Sequence, residues 1–162
     1  MESIENKILD DLDLQILDIL QNEGKVSNTE IAKRVNLSPP ATHTRIKRLE
    51  KEGYIHRHVA MLNREKLGFD LLSFIFLSTN IHQAEKLEAL EKELESMPEV
   101  LEWHWLSGEY DYLLKTASRD RRELEGFIRK LNRLGITRIQ TSLALREIKY
   151  STVLPIRGDI SQ

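Results

Sequence analysis

The side chains with the clearest chemical potential are basic and polar groups between residues 25 and 58. This segment holds eight lysines and arginines against three glutamates, although the whole chain has a formal net charge of −2. Residues 1–24 have the opposite balance, with seven acidic side chains and one lysine. Either Lys25 or Lys51, considered alone, is adequately explained as a charged residue on a solvent-exposed helix surface. The concentration of cations in one segment favours a polyanion such as nucleic acid as its partner.

Two short helices joined by a tight turn are predicted to position these groups. Ser27 and Glu30 match an S-x-x-E capping box, which starts the first of the two helices. Ser38 followed by Pro39 starts the second, because a hydroxyl N-cap and a proline at the first helical position both suit a helix N-terminus. Only residues 36–37 separate the helices, so the corner is sharp. This pattern is a helix-turn-helix, whose second helix enters the major groove of DNA.

The second of these helices separates an inward face from an outward one. Thr42, Ile46 and Leu49 recur at i, i+4 and i+7 and are expected to face inwards. An arginine or lysine on the outward face can contact phosphate, and arginine also reads guanine. The candidate DNA-binding residues are Ser38, Pro40, His43, Thr44, Arg45, Lys47 and Arg48.

Two of these candidates have an alternative role. Arg45 lies beside the apolar stripe, so it could instead pair with an acidic side chain of the preceding helix. His43 could contact DNA or could simply be exposed.

The remainder of the first domain is a capped helix and a short strand. Asp10 and Asp13 are placed to cap a helix with one apolar stripe, since acidic groups are favoured at a helix N-terminus. Residues 54–59 alternate in polarity and predict a strand, the wing beside the recognition helix. The sequence therefore predicts a winged helix-turn-helix domain over residues 1–62.

Residues 63–162 are predicted to form a second domain of different architecture. Strand patterns rich in branched and aromatic residues alternate with amphipathic helices in the order β-α-β-β-α-β, which is the ferredoxin-like arrangement of an α+β fold. The predicted strands are 70–81, 100–106, 112–117 and 136–150, and the predicted helices are 84–97 and 120–134.

One face of this sheet is expected to lack a helical cover. The first strand is apolar on both sides, with Phe74 and Phe76 on one side and Ile75 and Leu77 on the other. Trp103 and Trp105 are expected to add bulk to one face. Because helices cover only one face of such a sheet, we predict that two copies of the domain pack sheet to sheet.

Composition excludes several classes of site. The chain has no cysteine, which rules out disulfides, thiolate zinc sites and cysteine nucleophiles. No apolar run reaches membrane-span length, and the acidic N-terminus does not resemble a signal peptide. No metal-ligand spacing, phosphate loop or nucleophile motif is present. We therefore expect a cytoplasmic, non-enzymatic protein without a metal or cofactor.

Taken in order and at their spacing, these motifs resemble the Lrp/AsnC family, the leucine-responsive and asparagine-responsive regulators. The resemblance covers nearly the whole chain. It is carried by residues 9–17, 24–28, 31–38, 45–50, 53–55 and 107–114.

The resemblance implies a transcription regulator that binds double-stranded DNA as paired half-sites, forms dimers that assemble into octamers, and responds to an amino acid. The implied effector site comprises Gly108, Glu109, Tyr110, Asp111 and Thr141. Family members often have a second threonine two residues before Thr141, where this chain has Ile139. That departure suggests a more apolar effector, or none.

Two other functions share parts of this pattern. Sirohaem decarboxylases resemble the family in both domains but are enzymes. His104 is the only histidine within the second domain's predicted strands, and packing beside Trp103 and Trp105 suits it better than proton transfer. An architectural protein that binds DNA without an effector would share every DNA-side feature and differ only in the second domain.

Overall fold

The computed structural model describes residues 9–156, which divide into two compact units. We call residues up to Met61, together with those from Lys149, the helical unit, and Leu62–Ile148 the sheet unit. The sequence placed everything after residue 62 in the second domain. In the structure the segment from Lys149 lies with the helical unit, because the backbone of Leu154 is hydrogen-bonded to the Gln21 side chain.

The helical unit contains the predicted helix-turn-helix. Its helices are α1 (Asp11–Asn22), α2 (Asn28–Arg34) and α3 (Pro39–Lys51). The predicted apolar stripes meet in one core, whose buried side chains are Ile16, Ile31, Val35, Ile46 and Leu49.

Each helix begins at the cap that the sequence predicts. Asp10 and Asp13 form a reciprocal capping box, with Asp10 Oδ1 accepting from the Asp13 N–H at 2.8 Å. Ser38 Oγ accepts from the Ala41 N–H at 3.3 Å. At α2 only half of the predicted box forms. Ser27 Oγ accepts from the Glu30 N–H, whereas the Glu30 carboxylate accepts from Arg34.

The strand predicted over residues 54–59 is absent. Residues 54–59 form a bend followed by irregular chain, with no strand in the described structure. A strand requires hydrogen bonds to a neighbouring strand, and alternating polarity in a single segment cannot supply that neighbour. The next regular element is a short 3₁₀ turn, Glu65–Leu67.

The sheet unit has the predicted β-α-β-β-α-β order. Its elements are β1 (Leu71–Thr79), α4 (Ala84–Ser96), β2 (Val100–Trp105), β3 (Tyr112–Ser118), α5 (Arg121–Asn132) and β4 (Ile136–Leu143). The strands lie in the order β2-β3-β1-β4, and each neighbouring pair is antiparallel.

Strand β4 ends seven residues before the predicted residue 150. Its partner β1 begins at Leu71, and the last ladder bond is that from the Ala144 N–H to the Leu72 carbonyl. Only Leu71 of β1 lies beyond that bond, so β1 offers no pairing partner to the residues after 145.

The two faces of the sheet differ as predicted. Ile75, Leu77 and Leu114 are fully buried with α4 and α5 on one face. On the opposite face Phe74 and Phe76 are half-buried. Trp105, expected to add bulk to one face of the sheet, is 80% exposed in this single chain.

Candidate nucleic-acid interface and effector loop

Four predicted DNA contacts share the exposed side of α3. Pro40, His43, Thr44 and Lys47 all point away from the core, as the 3.6-residue period of the helix requires. The Lys47 side chain is 63% exposed, and its Nζ lies 2.7 Å from a Glu50 carboxylate oxygen. This side of α3 therefore presents a cation, an imidazole and a hydroxyl to solvent.

The polar groups on this side have specific local partners. His43 Nδ1 lies 3.1 Å from the Asn28 side-chain nitrogen on α2. Thr44 Oγ1 donates to the Pro40 carbonyl at 3.0 Å, and Ser38 caps the helix. Asn28 is a residue that sequence reasoning missed, since its closeness to His43 depends on how α2 and α3 pack.

Arg45 and Arg48 lie on the flank of α3 that meets α1. Arg45 Nη1 donates to Asp13 Oδ1 at 2.8 Å and to Asp10 Oδ2 at 2.6 Å. Arg48 Nη2 pairs with Asp13 Oδ2. Asp13 is only 1% exposed, so its charge is neutralised by these two arginines rather than by water. From the sequence, this pairing is one of two alternatives for Arg45, the other being a DNA contact. Arg48 is expected from the sequence to face outwards.

The Asp10 carboxylate gives this network a dependence on pH. Burial acts to raise the pKa of Asp10, but hydrogen bonds from Arg45 and from the Asp13 N–H outweigh it and lower that pKa below 3.8. Ionised Asp10 therefore stabilises the fold fully above pH 3.8, and the contribution is lost as pH falls through the lowered pKa.

Asp10→Asn tests this dependence, because asparagine also caps helices but carries no charge. At pH 7 we expect the variant to lose roughly 0.5 kcal/mol of unfolding free energy, a small value for a side chain that is half exposed. The difference should disappear in acid below the lowered pKa. Urea titrations of both proteins across pH measure it, and a loss that persists unchanged in acid would contradict the ion-pair explanation.

The predicted effector loop is anchored to the end of β1 by Asp111. The Asp111 N–H donates to the Leu77 carbonyl at 2.9 Å, and its Oδ2 accepts from the Thr79 N–H at 2.8 Å. Gly108 has φ +143°, a conformation that L side chains rarely adopt, and a Cβ there would meet no atom within 4 Å. The loop is therefore fixed at one end and open beside its glycine.

Tyr110 and Glu109 contact residues on β1 and β4 that are not among the predicted effector-site residues. The Tyr110 ring lies 5.3 Å from that of Phe76, and its hydroxyl donates to Gln140. The Arg138 guanidinium lies 4.6 Å from the Tyr110 ring centroid, with Nη1 at 2.7 Å from Glu109 Oε1. That Glu109 hydrogen bond raises the pKa of Arg138. The missing information was the register of β4 against β1.

Thr141 lies apart from this cluster. It is opposite Ile75 in the β1–β4 register, so its side chain shares the helix-covered face. Gln140 is opposite Phe76 and shares the other face, with Tyr110. The structure thus brings Glu109, Tyr110 and Asp111 together but does not bring the Thr141 side chain to them.

Both parts of the chain match known domain families. Residues 9–56 match a winged helix-turn-helix DNA-binding domain, and residues 72–154 match the Lrp/AsnC ligand binding domain. The chain belongs to the Lrp/AsnC family. It is 36% identical over 159 residues to the leucine-responsive regulatory protein of Haemophilus influenzae, covering 97% of this chain and 96% of that one. The corresponding Escherichia coli protein is 37% identical, with 93% of each chain covered.

Solved structures of bacterial transcription regulators have the same fold. A Neisseria meningitidis transcriptional regulator in complex with L-methionine superposes with a TM-score of 0.87 at 34% identity, covering 93% of this chain and 98% of that one. AsnC of E. coli gives 0.81 at 26% identity, with 90% and 98% covered.

Lrp/AsnC membership makes this chain a DNA-binding transcription regulator with a ligand-binding domain, and not an enzyme. Within residues 9–156, no helix is both long and apolar enough to cross a membrane.

Proposed function

We propose that this Lrp/AsnC regulator reads operator DNA with the exposed side of α3 and that an amino acid bound at residues 108–111 changes its DNA affinity. The observation that carries the proposal is that the polar side chains of α3 fall into two sets with different surroundings. Its arginines are paired with Asp13, while His43, Thr44 and Lys47 remain exposed. A recognition helix needs both a fixed orientation and an exposed polar surface.

Each exposed group has a suitable role on a duplex. Lys47 and the N-terminus of α3, with Ser38 and Pro40, suit phosphate, because a helix N-terminus attracts anions. His43 and Thr44 suit base edges, which accept and donate hydrogen bonds in the major groove. Arg45 and Arg48 act through α1, by fixing the orientation of α3.

The effector side of the proposal rests on the chemistry around Tyr110. Glu109 offers a carboxylate to an ammonium group, and Arg138 offers a guanidinium to a carboxylate. Phe76 and Tyr110 provide an aromatic surface for an apolar side chain. These groups together suit a zwitterionic amino acid, and the Neisseria relative binds L-methionine. Thr141 contributes only if the edge of β4 rearranges.

Assembly follows from the sheet. Phe74 and Phe76 lie on the face opposite α4 and α5, and such a half-buried apolar face is typical of a subunit interface. We propose a homodimer built on this face, with the effector held at the margin of the interface where Tyr110 meets Phe76. We place the homodimer in the cytoplasm with the DNA, and we propose that dimers associate further into octamers.

Fluorescence anisotropy tests the function directly. Labelled duplex from upstream of the protein's own gene is titrated with protein, with and without a pool of common amino acids, beside a scrambled duplex. Sequence-preferring binding that changes with the pool supports the whole proposal. Binding without a response favours an effector-independent architectural protein and rejects the effector part. Absence of binding to either duplex at moderate salt rejects the DNA-binding part.

Asp111→Ala separates the effector loop from DNA binding. The substitution removes the bond to the Thr79 N–H and should free the loop from the end of β1. We expect the effector-free affinity for DNA to stay within about twofold, while an amino-acid response of about tenfold is largely lost. Asp70→Ala, an exposed aspartate just before β1, is the matched control. An intact response in Asp111→Ala would mean that the effector binds elsewhere.

A further inference from the structure

The chain segment after the sheet returns to the helical unit and docks on α1 through one side chain. The Leu154 N–H donates to Gln21 Oε1 at 2.9 Å, and Gln21 Nε2 donates to the Leu154 carbonyl at 2.9 Å. A carboxamide carries the same donor and acceptor as a peptide group. Gln21 therefore binds Leu154 as a neighbouring strand would, with both backbone groups satisfied.

We call this pair of hydrogen bonds between Gln21 and Leu154 the clamp. Neighbouring contacts orient both of its sides. Gln21 Nε2 also lies 3.2 Å from Asp18 Oδ1, one turn earlier on α1. In the docked segment the Val153 N–H donates to Ser151 Oγ, and the Ile156 N–H donates to the Leu154 carbonyl. Residues 151–156 are thus a locally hydrogen-bonded segment, and the Gln21 side chain hydrogen-bonds it to α1.

Strand β4, which precedes the docked segment in the chain, contacts the effector loop. Strand β4 carries Arg138 and Gln140, which bind Glu109 and Tyr110. Beyond β4 the chain has no helix or strand before residue 156. Any ligand that rearranges Tyr110 or Arg138 acts on β4, and β4 is covalently continuous with the docked segment.

Helix α1 in turn determines the orientation of α3. The buried Asp13 of α1 binds Arg45 and Arg48 of α3. The described contacts therefore form a continuous series from the effector loop through β4, the C-terminal segment and Gln21 to α1 and α3. Each step is a covalent connection or a named hydrogen bond.

We propose that Gln21 is a positioning residue that couples the effector loop to the recognition helix by clamping residues 151–156 onto α1. An effector changes DNA affinity only if it favours one of two states, and the two states here are the clamped chain and the released chain. The inference rests on the proposed effector function, because coupling requires an effector that acts at the loop.

Gln21→Ala tests the clamp, with Asn22→Ala as the matched control. Alanine is a strong helix former, so neither change should disrupt α1. Asn22 is exposed and its side chain bonds only Asp18 among the described residues. In anisotropy titrations with saturating L-methionine, and separately L-leucine, we expect wild type and Asn22→Ala to change DNA affinity about tenfold. Gln21→Ala should show a single affinity with and without the amino acid.

Two further measurements distinguish coupling from a general loss of structure. Calorimetric titration of the amino acid should show that DNA alters its affinity in wild type by the same factor, since coupling is reciprocal, and leaves it unaltered in Gln21→Ala. Hydrogen exchange of residues 151–156 in the effector-free protein should be faster in Gln21→Ala than in Asn22→Ala.

The outcomes separate this proposal from the function on which it rests. A Gln21→Ala variant that responds like wild type, or that exchanges residues 151–156 at the wild-type rate, overturns the clamp alone. A wild-type protein that binds DNA but ignores amino acids overturns the clamp together with the effector part of the proposed function. That second failure is seen in wild type, without any variant.

Discussion

Replacing Asp13 by asparagine is expected to lower the free energy of unfolding of the helical unit by about 3 kcal/mol. Asparagine keeps the size of the side chain but removes the charge. Arg45 and Arg48, which are partly buried against α1, would lose the carboxylate that neutralises them. Urea denaturation followed by far-UV circular dichroism measures the loss. Because α3 would also lose its orientation, DNA affinity should fall about tenfold or more.

Asp11→Asn is the control for this prediction. Asp11 lies two residues earlier, is exposed, and belongs to the first turn of α1. Its loss should cost only about 0.5 kcal/mol, the usual value for an exposed acid near a helix N-terminus. If Asp13→Asn proved as stable as Asp11→Asn, the two arginines would contribute little to the fold, and Arg48 would again be a candidate DNA contact.

Lys47→Ala is expected to change the salt dependence of DNA binding, whereas Arg48→Ala is expected to change protein stability. Loss of one phosphate contact reduces the slope of log Kd against log salt by about 0.9, so Lys47→Ala should weaken binding to every duplex and flatten that slope. Arg48→Ala should instead lower stability and leave the slope unchanged, because Arg48 pairs with Asp13. Anisotropy titrations between about 50 and 200 mM salt measure both effects.

The interpretation of these slopes needs a lysine elsewhere as reference. Lys92 is exposed on α4 of the sheet unit, and Lys92→Ala should leave affinity and slope at their wild-type values. A slope that falls equally in Lys47→Ala and Arg48→Ala would place both side chains on the phosphate backbone. An unaltered slope in Lys47→Ala would remove it from the proposed interface.

Local signals in the sequence predict most of the architecture. Asp10, Ser27 and Ser38 mark helix starts that the structure contains, because capping depends on residues within one turn. The apolar periods predict which side of α3 and which side of β1 face the core, since each pattern follows from the geometry of its own element. Local signals do not predict which strand pairs with which. The wing strand and the end of β4 were predicted wrongly, because a ladder depends on a second strand.

The candidate site also has features that the sequence predicts and features that depend on tertiary packing. Its residue types and its two locations, α3 and the loop at 108–111, follow from the sequence. Which side chains remain exposed and which are held in ion pairs with α1 does not follow from the sequence. Arg48 shares its helix with Lys47, yet only the packing of α1 against α3 places it on Asp13. Likewise, only the β1–β4 register separates Thr141 from Tyr110.

By itself, then, the sequence determined the family, the order of elements, the helix caps and the polar side of the recognition helix, all of which depend on residues close together in the chain. The tertiary structure alone decided the Asp13 ion pairs, the contacts of Tyr110 with β4 and the docking of Leu154 on Gln21. Each of these joins residues that are distant in sequence. Their geometry depends on how whole elements pack, and no local pattern encodes that packing.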